Sequence, residues 1–238
     1  MRWCGLLKAQ NLLPWGKFDI CGPLADGHRN RCFKVVQADR FFVAKTTRRS
    51  NAALKWLGPV QEFAQRAGFR IPALIKSRYG NLSENGWTLE PFLQGRAARQ
   101  SEIRQFMPML CQFHQFGKNH IQRPTFASAK ELLFQTVSGD IDLDNMPEEI
   151  VKKCRDAWER LPNVTACTVH ADFGSANILV MDGQAPALID WDECRVDTPV
   201  FDLDADKGAI ISSARLAWEI ACCWHVEPRR AKKLAVKL

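Results

Sequence analysis

The first part of the chain alternates short apolar segments with polar turns, which is the pattern of an antiparallel sheet. Strands are predicted at residues 18–21, 31–37, 40–45, 70–76 and 86–95. β-branched and aromatic residues are frequent in these segments, as in known strands. Ala38 and Asp39 are expected to form a tight turn between the second and third strands. A small antiparallel sheet is therefore expected in this part of the chain.

Most of the remaining sequence repeats its apolar residues at helical spacing. Helices are predicted at residues 51–67, 101–116, 128–137, 147–161, 204–224 and 227–238. The clearest is 147–161, because Cys154 and Trp158 share an apolar face and Pro147 stands at its start. Gly58-Pro59 is expected to break the first helix. The pattern as a whole predicts an α+β fold, with a small antiparallel sheet followed by a mainly helical part.

A predicted β-hairpin in the second half of the chain brings several polar side chains together. Its strands are residues 177–180 and 187–189. Asp182-Gly183 lies between them and is a strong signal for a tight turn. His170, Asp172 and Asn177 lie before or at the start of the first strand. Asp190 directly follows the second strand. Since the first strand begins where the second one ends, all four side chains are expected at one end of the hairpin.

These residue types suit phosphoryl transfer. A carboxylate can orient the proton of an attacking hydroxyl, and a second carboxylate with an amide oxygen can hold Mg²⁺ against the phosphates. The kinase catalytic loop has the spacing His-x-Asp-x-x-x-x-Asn. His170, Asp172 and Asn177 match that spacing without a gap.

These motifs resemble those of the aminoglycoside phosphotransferase and choline kinase family of small-molecule kinases. The family has a His-Gly-Asp-x-x-x-x-Asn loop, followed by Ile-Asp-Trp and then by Pro-x-x-Asp-Leu. This chain has the loop from His170 to Asn177, then Ile189-Asp190-Trp191 and Pro199-Val-Phe-Asp202-Leu203, with Ala171 in place of the glycine. The resemblance implies a bilobed protein-kinase-like fold with ATP between the lobes. A nucleotide-binding lobe is expected at residues 1–93, and a catalytic and acceptor-binding lobe at residues 94–238.

The resemblance also assigns roles to the residues that match. It implies that Asp172 is the catalytic base and that Asn177 and Asp190 bind Mg²⁺. His170 and Asp202 are expected to brace the catalytic loop. Asp172-Phe173-Gly174 spells the metal-binding motif of protein kinases, but that motif belongs after the hairpin. We therefore interpret this match as a coincidence and predict Asp190 as the metal ligand.

Further nucleotide contacts are predicted in the sheet region. Gly22 and Gly27 belong to a loop between two strands that can bring backbone amides close to phosphates. Such a loop is a weak signal alone, and the resemblance strengthens it. Lys45 ends the strand Val-Ala-Lys, as does the phosphate-binding lysine of kinases. Glu62 is the only acidic residue between Lys45 and Ile71, so it is the predicted partner of Lys45.

Two other segments are expected near the ligands. The strand that ends at Gly95 resembles the family's hinge, and adenine is expected to bond to backbone groups from Glu90 to Phe92. Residues 140–144 are acidic and lie between helices. They are interpreted either as a solvated loop or as part of an acceptor site for a cationic compound. His114 is interpreted as a packed core histidine rather than a catalyst.

Composition narrows the class of protein. Apolar residues make up 46% of the 238 residues and charged residues 25%, which is typical of a globular protein. Neither a signal peptide nor a membrane span is predicted. Nine cysteines occur without a Cys-x-x-Cys pair, which favours reduced, mostly buried thiols and a cytoplasmic location. The net charge of +7 is concentrated in part in the last ten residues. This segment is interpreted as a solvated helix face, with contact to nucleic acid or another anionic surface as the less favoured alternative.

The sequence thus predicts an ATP- and Mg²⁺-dependent phosphotransferase that acts on a hydroxyl of a small molecule. The acceptor is expected to be aminoglycoside-like or another amino alcohol or sugar. Kinases of choline-like metabolites and a non-catalytic nucleotide-binding module are the alternatives. No Ala-Pro-Glu end of an activation segment is present, which disfavours a protein kinase. The acceptor, the choice between ATP and GTP, and the oligomeric state stay open.

Overall fold

The computed structural model describes residues 7–24, 29–203 and 208–238. Its N-terminal part contains a four-stranded antiparallel sheet in the order β1-β2-β3-β4. The strands are Asp19–Pro23 (β1), Cys32–Gln37 (β2), Arg40–Thr46 (β3) and Trp87–Pro91 (β4). Ala38 and Asp39 adopt φ of +46° and +61° in the turn between β2 and β3. Positive φ at both turn positions matches the right-handed twist of the flanking strands, so the predicted turn is confirmed.

One face of this sheet is apolar and the other faces the rest of the protein. Val35 and Ala44 are fully buried on the apolar face, which packs on Leu12 and Phe18. Lys45 lies on the opposite face, where its side chain lines a cleft. The alternation of side chains along β3 therefore separates a small core from the functional face.

The strand predicted at residues 70–76 is wrong. Arg70 makes a single bridge to Ala187, and the Ile75 amide donates to the Leu89 carbonyl at 2.8 Å, but no strand forms between them. Pro72 interrupts the segment, and a proline has no amide proton to donate to a strand ladder.

The predicted helix at residues 51–67 is divided into Asn51–Lys55 (α1) and Leu57–Arg66 (α2). The Ser50 hydroxyl caps α1 by accepting a hydrogen bond from the Ala53 amide at 3.2 Å. Pro59 cannot donate to the carbonyl four residues earlier, which explains a break at Trp56.

The helical part contains α3 (Ile103–Phe116), α4 (Glu148–Glu159), α5 (Ala209–Val226) and α6 (Pro228–Ala235). The helix predicted at residues 128–137 is wrong, since the chain forms only a 3₁₀ turn, Glu131–Leu133, in that range. A short strand before α3 is Arg96–Ala97 (β5). The 3₁₀ turn is followed by two more short strands, Val137–Ser138 (β6) and Ile141–Asp142 (β7). Gly139 turns the chain between them at φ +60°, a conformation that glycine tolerates.

The predicted β-hairpin is present and is joined by further short strands. They are Cys167–Val169 (β8), Ile178–Val180 (β9), Ala187–Leu188 (β10) and Arg195–Asp197 (β11). β9 pairs with β10 and with β5, while β8 pairs with β11. The hairpin is thus anchored by a strand from before α3. The division of the chain at residue 93 into two lobes stays a prediction.

Two apolar cores hold the helical part and the hairpin. Trp158 of α4 is completely buried and its indole donates to the Ala214 carbonyl of α5 at 3.2 Å. A second core joins α2, α3 and the hairpin through residues such as Phe113 and Ile178. The eight described cysteines are free and five of them are buried, as expected for packed thiols. Ala231 and Ala235 turn α6 inward, which leaves its basic residues on the outer face.

In the described ranges, no helix combines the length and the apolar character needed to cross a bilayer.

Trp158→Ala tests the first core. Removing the buried indole leaves a cavity and an unpaired carbonyl, and we expect a loss of about 3–5 kcal/mol in the free energy of unfolding. Urea denaturation followed by circular dichroism measures this loss. The matched control is Lys153→Ala, at an exposed position of the same helix, where a change within about 0.5 kcal/mol is expected. An equally small change for Trp158→Ala would show that α4 and α5 are not coupled through this residue.

Candidate active site

The loop between β8 and β9 is held by one buried carboxylate. Asp202 accepts hydrogen bonds from the His170 amide at 2.9 Å and from the Ala171 amide at 2.6 Å. Nε2 of His114 lies 2.8 Å from the same carboxylate. Ala171 adopts φ +67°, which explains why a glycine suits this position. The hydrogen bonds to Asp202 offset the steric cost, about 1–2 kcal/mol, of a left-handed residue with a Cβ.

His170 is fully buried beneath the loop. Its Nε2 lies 3.0 Å from the Ile189 carbonyl, and its ring packs edge-on against Trp191 with 4.9 Å between centroids. The histidine therefore joins the loop to the end of β10. This geometry fits a bracing residue, and His114 is buried in the core as predicted.

Asp172 and Asn177 lie side by side at the surface of the loop. The Asn177 amide nitrogen donates to the Asp172 side chain and to the Asp172 carbonyl, both at 2.8 Å. Asp172 is accessible to solvent. The surrounding protein still displaces water from it, and this desolvation, together with the negative charge of Asp190, raises the pKa of Asp172 above its ordinary value. A raised pKa makes the carboxylate a better proton acceptor.

Asp190 follows β10 and faces β3. Its Oδ1 lies 2.5 Å from Nζ of Lys45. Burial alone would lower the pKa of Lys45, but the charges of Asp190 and Asp192 outweigh it and raise that pKa. The ammonium is therefore always charged at neutral pH. The structure thus brings Lys45 of the sheet and Asp190 of the hairpin into direct contact.

The predicted partner of Lys45, Glu62, does not pair with it. Glu62 is exposed on α2, whereas the neighbouring Gln61 is buried and lines the cleft with Lys45. Successive residues of an α-helix point about 100° apart, so a displacement of one position moves the carboxylate to the solvent side. The sequence offered one acidic residue in this range, but it could not show which face of α2 turns inward.

Glu90 of β4 also lies in this cleft. Burial, together with the charges of Asp190 and Asp192, raises its pKa to about 7, although Lys45 opposes the shift. The Phe92 amide donates to the Phe41 carbonyl at 3.0 Å, so it is already used in the sheet. Because backbone groups alternate along an antiparallel pair, the Pro91 carbonyl points away from β3. Of the predicted hinge groups, that carbonyl is the one not directed at β3.

The predicted glycine loop is described only in part. Gly22 belongs to β1, at an irregularity in its pairing with β2, and adopts φ +148°. A Cβ added at Gly22 would meet nothing within 4 Å. Gly27 lies outside the described residues. The contact of this loop with phosphates stays a prediction.

In the acidic segment at residues 140–144, the first carboxylate is already paired with cations, whereas Asp144 is exposed. Asp140 is nearly buried and accepts four hydrogen bonds of 3.0–3.1 Å from Arg48 and Arg49. Arg49 also lies 3.5 Å from Glu193 and 3.6 Å from Asp192. Together these residues join the end of β3 to the helical part. Sequence reasoning missed this cluster, and Arg48-Arg49 after β3 was the only signal for it.

Arg29 adds a second charged connection between the sheet and the helical part. It pairs with Glu193 at 2.6 Å and with Glu219 of α5 at 3.3 Å. Next to it lies a cavity of about 560 Å³. Lys8, Arg29, Arg31 and Arg48 line that cavity, and no described carboxylate does. Arg29 and Arg48 are also paired with carboxylates outside this lining, so their charge at the cavity is partly neutralised.

A small antiparallel sheet, a mainly helical part and a β-hairpin whose Asp190 contacts a lysine of the sheet are the features of the kinase-like phosphotransferase fold. A spectinomycin phosphotransferase, solved with ADP and spectinomycin, superposes with a TM-score of 0.54 at 13% identity, over 97% of this chain and 90% of the other. An aminoglycoside phosphotransferase from Alicyclobacillus acidocaldarius superposes with a TM-score of 0.55 at 13% identity, over 98% and 96%. An aminoglycoside phosphotransferase solved in its apo form has a TM-score of 0.51 at 19% identity, over 92% and 85%.

The chain belongs to the phosphotransferase enzyme family, whose sequence model matches residues 21–223. No curated protein sequence matches it. The matched range includes the sheet, the catalytic loop, the hairpin and most of α5. The predicted family and the predicted bilobed kinase-like fold are thus confirmed.

Asp202→Asn tests the brace of the catalytic loop. The amide has only one oxygen to accept hydrogen bonds, so a buried donor loses its partner, and we expect a loss of about 1–3 kcal/mol in the free energy of unfolding. Hydrogen exchange should also become faster at the Ala171 amide. Asp182→Asn, in the exposed turn of the hairpin, is the control.

The loss of stability caused by Asp202→Asn should depend on pH, and its direction follows from the pKa of Asp202. Burial alone would raise the pKa of Asp202, but the hydrogen bonds from His114 and the His170 amide outweigh it and lower that pKa. Its stabilising contribution is therefore present above the ordinary aspartate pKa, about 4, and is lost as the pH falls further. Denaturation curves at pH 7 and pH 3 should show a smaller difference between wild type and variant at pH 3. A difference that grows in acid would contradict this interpretation.

Proposed function

We propose that this protein transfers the γ-phosphate of ATP, in a Mg²⁺-dependent reaction, to a hydroxyl group of a small molecule. The observation that supports this function best is the position of Asp172, Asn177 and Asp190 at one end of the hairpin, where Asp190 contacts Lys45. Family membership and the fold agree with it. Neighbouring structures were solved with ADP or AMP-PNP.

The residues present fit a magnesium ion. Asn177 and Asp190 offer hard oxygen ligands, which Mg²⁺ prefers, and only one or two protein carboxylates are usual at such sites. When bound, the ion would neutralise charge on the phosphates. Asp190 holds Lys45 in this structure, so metal binding would release the ammonium to contact the phosphates.

Asp172 would accept the hydrogen bond of the acceptor hydroxyl and take its proton as the new O–P bond forms. The hydrogen bond from Asn177 fixes the orientation of this carboxylate. Lys45 would stabilise negative charge on the transferred group. Most of the rate acceleration would come from positioning and from charge stabilisation.

The acceptor is proposed to be an alcohol of small size, such as an amino alcohol or a sugar. Related structures hold spectinomycin or hygromycin B. In this chain, Asp140 is engaged by two arginines, and the neighbouring cavity is lined by cationic side chains. An acceptor screen should therefore contain anionic and neutral alcohols as well as cationic antibiotics and choline-like compounds. An intact protein that binds ATP and transfers phosphate to none of them would favour a non-catalytic binding module.

Asp172→Asn is expected to lower the rate of phosphate transfer by a factor of about 10²–10⁴, because the amide cannot take the hydroxyl proton. Nucleotide affinity should be nearly unchanged, since Asp172 is not proposed to contact the nucleotide. Transfer is measured with the acceptor that the screen identifies, and affinity by calorimetry with AMP-PNP. Asp182→Asn, at the other end of the hairpin, should behave as wild type. Full turnover by Asp172→Asn would exclude the proposed base.

Asp190→Ala is expected to remove the dependence of nucleotide binding on Mg²⁺. Without this carboxylate the ion loses one of its two proposed protein ligands, and an affinity loss of at least about tenfold is expected. AMP-PNP is titrated with and without Mg²⁺ for both proteins. A variant that keeps the Mg²⁺ effect of the wild type would show that the metal is held elsewhere.

A further inference from the structure

Lys45 lacks the carboxylate that a neighbouring helix would be expected to supply. α2 presents the neutral side chain of Gln61 to the cleft, and the only glutamate of this helix is exposed. A flexible ammonium group without a fixed partner samples many positions and is poorly placed for a precise contact. Some other group must therefore fix Lys45 when Asp190 is engaged by a metal.

Glu90 is the group whose geometry fits. On the sheet, Lys45 of β3 is opposite Thr88 of β4, and Val43 is opposite Glu90. Lys45 and Glu90 are thus diagonal neighbours on the same face of two adjacent strands, a separation that long side chains can bridge. Both line the same cleft.

Asp190 and Asp192 also lie close enough to Lys45 for their charges to raise its pKa, but each has another partner here or in the proposed complex. Asp192 accepts a hydrogen bond of 2.6 Å from Asn30 and lies 3.6 Å from Arg49. Asp190 holds Lys45 in this structure and is the proposed metal ligand. In the parts of the chain that are described, no hydrogen bond or ion pair engages the carboxyl group of Glu90.

We propose that Glu90 is a positioning residue that holds the Lys45 ammonium against the nucleotide phosphates, in place of a carboxylate from α2. This proposal rests on the proposed function, because it concerns the state in which Asp190 binds a metal–nucleotide complex. Lys45 then exchanges one carboxylate partner for another and stays charged throughout. The charges of Lys45 and Glu90 already interact in this structure, since Lys45 opposes the rise that burial causes in the pKa of Glu90.

The test compares two ligands in the presence of Mg²⁺. AMP-PNP has the phosphates that Lys45 would contact, whereas adenosine has only the base and the ribose. Glu90→Gln keeps the size of the side chain and removes its charge. We expect it to weaken AMP-PNP binding by about tenfold, the order of one charge-assisted hydrogen bond, and to leave adenosine binding unchanged. Glu159→Gln, at an exposed position of α4, is the matched control, and melting temperatures verify that both variants fold.

A second variant distinguishes anchoring of Lys45 from contact with the base. Gln61→Glu introduces a carboxylate on α2 that faces the same cleft. Combined with Glu90→Gln, it should restore at least part of the AMP-PNP affinity, because Lys45 regains an anionic partner. A residue that reads the adenine base could not be replaced from α2.

Three results would overturn the proposal: equal AMP-PNP affinity of Glu90→Gln and wild type, an equal loss for adenosine and AMP-PNP, or no recovery in the double variant. Failure of the proposed function looks different, because wild type itself would then not bind AMP-PNP with Mg²⁺, and the proposal would fail with it.

Discussion

The carboxylate of Asp202 is the constraint on which the rest of the site depends. It lies in the core, far along the chain from the loop that it holds, and it fixes two consecutive backbone amides of that loop. Those bonds permit the left-handed conformation of Ala171, and that conformation turns the chain so that Asp172 reaches the surface while His170 stays buried. A buried carboxylate is costly unless all its partners are present, and here the amides and His114 supply them. The loop and its brace therefore form one unit.

Charge holds the sheet against the helical part. Arg29, Arg49 and Lys45 reach from the sheet side to carboxylates that follow or accompany the hairpin. Several of these carboxylates are nearly buried, so their neutralisation by cations is necessary for folding as well as for the shape of the cleft. Lys45 differs from the two arginines, because its partner Asp190 is also the residue proposed to bind Mg²⁺. This ion pair would have to open for Asp190 to bind Mg²⁺ as proposed.

This arrangement also changes the picture of the acceptor. The acidic segment at residues 140–144 suggested a pocket for a cationic compound. Its first carboxylate, Asp140, forms ion pairs with Arg48 and Arg49. The cavity beside Arg29 is lined by cationic and amide side chains. Family membership and fold do not identify the acceptor. Because Asp140 is paired and the cavity is lined by cationic side chains, the acceptor screen should include anionic and neutral alcohols as well as cationic ones.

The sequence by itself determined the parts that depend on local chemistry. The hairpin around Asp182-Gly183, the turn at Ala38-Asp39 and the spacing from His170 to Asn177 follow from turn residues and from the alternation of side chains. His170, Asp172 and Asn177 are close along the chain, so their proximity in space does not depend on long-range packing. The family motifs also predicted the positions of Asp190 and Asp202: the Ile189 amide, next to Asp190, donates to the Asn177 carbonyl, and Asp202 accepts from the Ala171 amide.

Tertiary structure alone decided the partners that come from distant segments. Which of Gln61 and Glu62 faces Lys45 depends on how α2 packs, because a rotation of one residue exchanges the buried and the exposed side chain. Asp140 is engaged only because β6 and β7 bring it to the arginines that follow β3. The segments 70–76 and 128–137 have apolar patterns, yet Pro72 and the turn at Gly139 gave them other hydrogen-bond partners. Local pattern specifies what a segment can form, whereas long-range packing selects which face and which charge partner it uses.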